Sequence, residues 1–311
     1  MSASYARPLV DNELTNQFLT RALGYKSNKE TGDLAAKVAK AELLLATMSS
    51  EDTLKRTKYR HPYYRLDEQR EQLREKILAE LISNKRLPND DDTAPGVGGV
   101  APPDSVSIQR DRIAFILIGL PASGKSSVSN KIADNYGAFI VDSDFAKRKF
   151  PEFKEEYGAA LVHEESTLVT FGLDDAQYKE EPNLLGFCIS EGANVVIPKI
   201  GAKPDSIRKL RDLLLGYKYQ VHLTLIKADR LCATKRAINR FSATNRYVPI
   251  SLIFDGYSND PILSYYYMQR DESWASTGVI STEQNPPEVV EMSENNPASL
   301  FKRDAENDQA A

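Results

Sequence analysis

Apolar residues recur every three or four positions in three stretches of the first 86 residues. This spacing places them on one face of a helix, and charged residues fill much of the opposite face. The predicted helices begin near Asp11, Asp33 and Asp67, because an aspartate at a helix start can accept hydrogen bonds from the free N–H groups of the first turn. We therefore predict a small all-α N-terminal segment over residues 1–87.

A different pattern begins at residue 111, where short apolar runs alternate with amphipathic stretches. The runs at 113–118, 138–141, 194–197 and 219–226 predict buried strands. Strands that alternate with helices are typical of a central parallel sheet covered by helices, so this part of the chain is predicted to be α/β. Ligands of such sheets bind at the carboxyl ends of the strands, and the residues after each run are therefore candidates for chemistry.

Two stretches have the composition of chain that packs poorly. Residues 88–108 contain three consecutive aspartates and then repeated glycine and proline, and residues 283–311 are rich in proline, asparagine and acidic residues. Such sequences offer little apolar surface to bury. We predict a flexible linker over 88–108, a globular domain over 109–282 and a disordered tail over 283–311.

The first predicted strand leads into a complete G-x-x-x-x-G-K-[ST] motif, with a helical pattern after it. The two glycines let the backbone wrap around a phosphate, while successive N–H groups and the helix N-terminus face the anion. A glycine-rich turn that binds nothing is the alternative, which the complete motif and its strand–helix context disfavour. The predicted nucleotide-binding residues are Gly119, Leu120, Pro121, Ala122, Ser123, Gly124, Lys125, Ser126 and Ser127.

The motif predicts a P-loop NTPase or kinase fold that uses ATP or GTP with Mg²⁺. Lys125 is expected to reach the β- and γ-phosphates, and the Ser126 hydroxyl is the expected metal ligand. A net charge of −4 gives no electrostatic footprint for nucleic acid, so we expect no such partner. No apolar stretch is long enough to span a membrane, and no signal-like segment opens the chain, so a cytoplasmic location is expected.

Two aspartates at the end of the second predicted strand are candidates for proton transfer. Asp142 and Asp144 are two residues apart, so both project toward the phosphate-binding edge. Transfer of a phosphoryl group to a hydroxyl needs a carboxylate that orients the hydroxyl and accepts its proton. The alternative is a pair of helix-capping aspartates, and the nearby motif favours the functional interpretation.

Arginines cluster after the fourth predicted strand, where P-loop kinases carry their lid. Arg236 and Arg240 are one helical turn apart, and Arg246 follows shortly after. Guanidinium groups suit the charge that spreads over a transferring phosphoryl group. A solvated helix face is the alternative. His163 and Glu164 are candidates for hydrogen bonding to substrate or are plain helix surface; the chain has three histidines and none pairs at metal-ligand spacing.

Residues 111–282 resemble the zeta toxin family of P-loop kinases. Besides the P-loop, the resemblance is carried by Val141-Asp142-Ser143-Asp144-Phe145-Ala146-Lys147, Phe150-Pro151-Glu152-Phe153, Val162-His163-Glu164-Glu165-Ser166 and the later Arg240 and Arg246. It implies phosphorylation of the sugar 3′-hydroxyl of UDP-N-acetylglucosamine by ATP or GTP. It also implies that Lys125 and Ser126 bind phosphate and Mg²⁺, that Asp144 is the base, and that Arg240 and Arg246 stabilise the transferring group.

One segment departs from the family pattern. After the third strand the family commonly has an acidic residue followed by Gly-Thr, whereas this chain has Ile197-Pro198-Lys199-Ile200-Gly201. Lys199 would favour a more anionic or differently shaped acceptor, so a metabolic, nucleotide or polynucleotide kinase is an alternative. A nucleotide-gated interaction protein without turnover is the alternative of another class. The resemblance also implies a helical antitoxin, either a separate protein or the N-terminal segment of this chain.

Overall fold

The computed structural model describes residues 6–48, 52–87, 96–155, 158–244 and 246–302. Its helices cover the two faces of a single sheet. They are α1 (Asn12–Gln17), α2 (Lys29–Met48), α3 (Asp67–Ser83), α4 (Lys125–Asn135), α5 (Ser143–Lys147), α6 (Gly158–Leu161), α7 (His163–Phe171), α8 (Leu184–Glu191), α9 (Pro204–Gly216), α10 (Arg230–Thr244) and α11 (Asp260–Met268).

The sheet has six strands in the order β2-β3-β1-β4-β5-β6. Their bounds are β1 (Ile113–Ile118), β2 (Phe139–Ile140), β3 (Val195–Lys199), β4 (Gln220–Lys227), β5 (Ser276–Ser281) and β6 (Glu288–Met292). Strands β1 to β5 run parallel to one another. The edge strand β6 pairs with β5 and runs antiparallel to it. The inner strands are apolar on both faces because helices cover both sides. The predicted α/β fold with a central parallel sheet is confirmed.

The three predicted N-terminal helices are present. Asp11 caps α1 by accepting a hydrogen bond from the Leu14 N–H at 2.8 Å, and α1 passes into a π-helical turn at Phe18–Ala22. The second helix begins at Lys29 instead of Asp33, because the Asn28 side chain accepts from the Thr31 N–H at 2.9 Å and so supplies the cap. The third begins at Asp67 as predicted.

Residues of the N-terminal segment are buried in the same hydrophobic clusters as residues of the sheet domain. Four residues of α3 (Leu73, Ile77, Leu78 and Leu81) are buried in the cluster that also contains β1, β3 and β4. Residues of the π-helical turn Phe18–Ala22 and of α2, together with Leu9, form a second buried cluster with α10 and the π-helical turn Leu252–Tyr257. Leu120 of the P-loop is buried in this second cluster. The N-terminal segment therefore touches both the sheet and the phosphate loop.

The predicted flexible linker is wrong for residues 96–102. The Val100 N–H donates to the Leu81 carbonyl at 2.9 Å, and the Val100 carbonyl accepts from the Ile140 N–H at 3.2 Å. Gly99 lies so close to the end of α3 that a Cβ would be 2.1 Å from the Asn84 carbonyl oxygen. Glycine here permits close packing of two backbones, which the sequence analysis took for flexibility. Residues 88–95 lie outside the described part of the chain.

The predicted disordered tail is wrong for residues 283–302. They form β6 and a 3₁₀ turn at Pro297–Phe301, with Phe301 buried against β1 and α4. Asn296 is fully buried, donates to the Ser276 hydroxyl at 3.0 Å and accepts from the Thr224 hydroxyl at 3.2 Å. A polar residue that completes such bonds can be buried at little cost, so composition alone misled the prediction.

Candidate active site

The P-loop joins the central strand β1 to the N-terminus of α4. Two of its residues have positive φ, Ala122 at 60° and Gly124 at 87°, and the Ser123 N–H closes a turn on the Leu120 carbonyl at 3.1 Å. A Cβ on Gly119 would be 2.5 Å from the Ile226 carbonyl oxygen, so only glycine fits there. The backbone thus forms a concave, amide-lined turn at a helix N-terminus, which is an anion-binding geometry.

Lys125 bends back into this loop. Its Nζ donates to the carbonyls of Gly119 and Leu120, both at 2.6 Å. Burial lowers the pKa of Lys125 to about 8, against the charges of Asp142 and Asp144, which raise it. Because these carboxylates act on the lysine, the predicted proton acceptors and the phosphate loop belong to one site.

The two aspartates have different surroundings. Asp142 caps α5 by accepting from the Asp144 N–H at 3.0 Å, and burial followed by the Asp144 charge raises the pKa of Asp142 to about 6. Burial would also raise the pKa of Asp144, but Lys147 at 2.9 Å, Arg246 and Arg148 outweigh it and hold that pKa well below its ordinary value. Asp144 is therefore ionised at neutral pH, as a proton acceptor must be.

The candidate ligands for Mg²⁺ near the P-loop are oxygen atoms. No group of three or more His, Cys, Asp and Glu side chains within the described residues could hold a metal ion by itself. Mg²⁺ commonly takes one or two protein oxygens and completes its shell with substrate phosphates and water. The exposed Ser126 hydroxyl at the start of α4 and the Asp142 carboxylate, whose charge acts on the adjacent residue Lys125, are of the donor type in that set.

The other predicted substrate residues lie in α7 and at the end of β3. His163 and Glu164 are at the surface in the first turn of α7, and desolvation of the imidazole by the surrounding protein, followed by the Lys147 charge, lowers the pKa of His163. Lys199 ends β3, and its Nζ lies 3.3 Å from the centre of the Phe171 ring. Burial lowers the pKa of Lys199 to about 8, while Asp142 raises it. The structure therefore brings all four predicted substrate residues, Asp142 included, into one electrostatic neighbourhood.

Arg246 and Arg236 interact with residues of this site. Arg246 lies over the Phe153 ring at 5.6 Å and lowers the pKa of Asp144. Arg236 donates to the Thr282 carbonyl at 2.5 Å, and the Thr282 hydroxyl donates to the Ser123 carbonyl in the P-loop at 2.5 Å. Arg240 is half-buried one turn further along α10. Helix α10, which the sequence analysis predicts as the lid, is thus joined to the phosphate loop through Thr282.

Sequence reasoning missed Thr282 and a group of buried charges. Thr282 follows β5, a strand whose short Ser-Thr-Gly-rich sequence was not recognised. Arg70 and Arg74 of α3 are buried against Glu152 and Glu165. The signal was present, because these arginines share the i, i+3, i+4 face of α3 with buried Leu73 and Ile77.

The family model for the zeta toxins matches residues 104–259, half of the chain. The chain belongs to the zeta toxin family. This membership confirms the resemblance and supports a kinase-type function. A search of curated proteins gave no significant match.

Three solved structures are similar to this chain at low identity, and the first of them shares its fold. One from the PezAT toxin–antitoxin system of Streptococcus pneumoniae is 14% identical, with a TM-score of 0.51, over 76% of this chain and 87% of that one. The AvrRxo1-ORF1:-ORF2 complex with ATP is 17% identical, with a TM-score of 0.46, over 76% and 69%. A gluconokinase from Sinorhizobium meliloti is 17% identical, with a TM-score of 0.32, over 57% and 86%. Among the described residues, no helix is long and apolar enough to cross a bilayer.

Proposed function

We propose that the protein transfers the γ-phosphoryl group of ATP to a hydroxyl of a small acceptor, with UDP-N-acetylglucosamine or another nucleotide sugar as the first candidate. GTP is the alternative donor. The observation that carries this proposal is the Asp144 carboxylate, which is kept ionised by Lys147 and Arg246 and acts electrostatically on Lys125 of the P-loop. Base and phosphate loop therefore share one cleft.

Each residue has a role in this reaction. The loop amides and Lys125 would hold the β- and γ-phosphates, and Ser126 with Asp142 would hold Mg²⁺, which supplies charge neutralisation on the phosphates when bound. Asp144 would orient the acceptor hydroxyl and take its proton. Arg240 and Arg246 would stabilise the negative charge on the transferring group.

We call the residues proposed to bind the phosphoryl acceptor (Asp142, Asp144, His163, Glu164 and Lys199) the acceptor wall. The charges around this wall favour an anionic acceptor. Lys199, Lys147 and Arg148 bring positive charge to the cleft beside the two aspartates. A nucleotide sugar carries a diphosphate that such side chains could bind, with hydrogen bonds from His163 and Glu164. Because Lys199 stands where the family commonly has an acidic residue, a different phosphorylated hydroxyl compound is the second candidate.

The family assignment suggests a toxin that acts in the cytoplasm and is held inactive by a helical antitoxin. One fold neighbour comes from a system described as toxin–antitoxin. In this chain the π-helical turn Phe18–Ala22 and α2 share a buried apolar cluster with Leu120 of the P-loop and with α10. They are therefore in place to act as an intramolecular inhibitor, and a separate antitoxin is the alternative.

Phosphate transfer from γ-labelled ATP by the full chain and its Asp144→Asn variant tests the reaction. The acceptors would be UDP-N-acetylglucosamine, other nucleotide sugars, NAD and an RNA 5′-end. We expect Asp144→Asn to lower kcat by about 10²–10⁴-fold, because the proton acceptor is lost while ATP binding persists. Asp205→Asn, at an exposed aspartate of α9, is the matched control.

The outcomes separate the candidates. Labelling of UDP-N-acetylglucosamine that depends on Asp144 supports the proposal down to its acceptor. Transfer to another compound keeps the kinase chemistry and moves the acceptor to the second candidate. ATP binding without transfer to any acceptor, in both the full chain and the Asp144→Asn variant, would favour a nucleotide-gated interaction protein.

A further inference from the structure

Charged side chains of α3 are buried against three acidic residues of the sheet domain. We call Arg70, Arg74, Glu152, Glu165 and Glu181 the α3 network. The Arg70 side chain is fully buried and contacts both Glu165, at 2.7 Å from Nη2, and Glu152, at 2.7 Å from Nη1. Arg74 bridges Glu165 at 3.1 Å and Glu181 at 2.7 Å. A buried charge cluster of this kind is a poor source of stability but fixes geometry, since each group needs its partners in place.

The two carboxylates that contact Arg70 lie in the elements that neighbour the residues proposed to bind the acceptor. Glu152 lies in the 3₁₀ turn Pro151–Lys154, one residue from Phe153, on which Arg246 stacks. Glu165 lies in α7, directly after Glu164. Arg70 therefore joins the segment that follows Asp144 to the helix that presents His163.

The oxygens of Glu165 and Glu152 also accept hydrogen bonds from two other residues of the N-terminal segment. The Thr53 hydroxyl donates to Glu165 at 2.6 Å, and the His61 N–H donates to Glu152 at 2.7 Å. The Arg70 guanidinium also lies 5.0 Å from the centre of the Phe150 ring. The matched family model begins only at residue 104, so all these donors lie outside it.

We propose that Arg70 is a positioning residue for the acceptor side of the active site. It holds the 3₁₀ turn and α7 at a fixed separation and thereby sets the distance between Asp144 and the substrate residues His163 and Glu164. The role rests on the proposed function in one respect, the assignment of these residues to acceptor binding. The P-loop side, which binds ATP, does not depend on Arg70.

The test uses the full chain and three variants. Arg70→Lys keeps the charge but loses the planar fork that reaches both carboxylates. Thr53→Val removes the hydroxyl that donates to Glu165 and also lies 3.3 Å from the Leu161 carbonyl oxygen, and it is the gentler change should Arg70→Lys fold poorly. Arg86→Lys is the matched control, since Arg86 is a buried arginine after α3 that binds Asp134 of α4 and the Ala138 carbonyl, away from the acceptor wall.

Two readouts separate positioning from general destabilisation. In steady-state transfer from ATP to UDP-N-acetylglucosamine, Arg70→Lys should raise the KM for the acceptor about tenfold and leave the KM for ATP within about twofold. Thr53→Val should change the acceptor KM in the same direction by less. In hydrogen exchange, residues 142–154 and 163–171 should exchange about tenfold faster in Arg70→Lys, with α4 unchanged. Arg86→Lys should show neither effect.

The readouts also keep this proposal distinct from the proposed function. If the unmodified chain phosphorylates none of the acceptors, the exchange measurement still decides whether Arg70 fixes these two segments. Equal changes in the two KM values, no change in either, or faster exchange throughout the chain would each overturn the positioning role.

Discussion

The N-terminal segment packs on the sheet domain at two places, through buried ion pairs at one and through apolar side chains at the other. On the acceptor side, α3 inserts Arg70 and Arg74 among three carboxylates, with the Arg70 side chain fully buried. On the side of α10, Phe18 packs its ring edge-to-face on Phe254, and Val38 of α2 lies in the same buried apolar cluster as α10. Polar contacts there lie nearer the surface, as in the ion pair between Arg7, one-third exposed, and Asp255.

The difference matches what each side has to do. A buried charge network is satisfied in one arrangement only, so it suits the wall that must hold Asp144 opposite the acceptor. The apolar packing on the other side involves α10, the helix that carries Arg236 and Arg240, and it places no buried ion-pair network among the described contacts there. The two attachments of the N-terminal segment therefore differ in how strictly they fix the partner element.

The largest expected effect separates the two attachments by stability. Arg70→Met should lower the free energy of unfolding by about 3–5 kcal/mol, because Glu152 and Glu165 stay buried without their main partner. Val38→Ala, at a fully buried position of α2, should cost about 2 kcal/mol for the two carbons removed. Urea unfolding of both variants measures the difference. A smaller loss in Arg70→Met than in Val38→Ala would show that the buried charges do not depend on this arginine.

The sequence predicted the lid side better than the acceptor side. The apolar spacing of Phe18, Ala22, Val38 and Ala41 predicts one helix face that must be covered, and P-loop chemistry predicts the site from a contiguous motif. Arg70 and Arg74 were taken for exposed charge, because arginine is rarely buried unless it is paired. Their partners Glu152 and Glu165 are more than 80 residues away, and the sequence carries no local signal of that pairing.

The dependence on contacts between residues far apart in sequence also explains why β5 and the residues after it were not predicted to fold. Strand β5 is short and contains serine, threonine and glycine, so periodicity alone does not reveal it. Gly278 is required because a Cβ would be 2.3 Å from the Asn296 side-chain oxygen, and Asn296 is itself buried by long-range bonds. Thr282, which links β5 to the P-loop, became visible only with these tertiary contacts.

The second prediction concerns the pH dependence of the acceptor wall and the P-loop. The pKa of Asp142 is raised to about 6, and those of Lys125 and Lys199 are lowered to about 8. We expect kcat/KM for ATP to fall about tenfold per pH unit below the first value, as Asp142 is protonated, and to fall above the second, as Lys125 loses its charge. Initial rates measured from about pH 5 to about pH 9, a range that brackets both pKa values, give the profile.

Stability should respond to Asp142 with the opposite sign. A carboxyl whose pKa is raised in the folded state binds its proton more tightly there than in the unfolded chain, so its contribution is present at low pH and lost as pH rises through about 6. Asp142→Asn should abolish the acid limb of the rate profile and this part of the stability profile together. An acid limb that persists unchanged in Asp142→Asn would assign it to another group.

The smallest expected effect tests the lid attachment. Glu42 of α2 accepts hydrogen bonds from the Tyr247 hydroxyl at 2.5 Å and the Ser251 hydroxyl at 3.1 Å, and Tyr247 directly follows Arg246. Glu42→Gln keeps the shape and weakens both bonds, which should cost about 1 kcal/mol of stability. Glu13→Gln, on exposed α1, is the matched control. The informative measurement is kcat for phosphate transfer in each variant.

The sign of the change decides what α2 does to the lid. If α1 and α2 inhibit the kinase by holding Arg246 and the lid in place, loosening the Glu42 contact should raise kcat by about twofold to fivefold, the equivalent of up to about 1 kcal/mol. If α2 instead supports Arg246 at the transferring phosphoryl group, kcat should fall by a similar factor. Deleting the whole segment would not discriminate, because it would also remove α3 and expose the sheet core. The described hydrogen bonds of Glu42 go to Tyr247 and Ser251 and not to the α3 network, so its substitution tests the α10 side separately from that network.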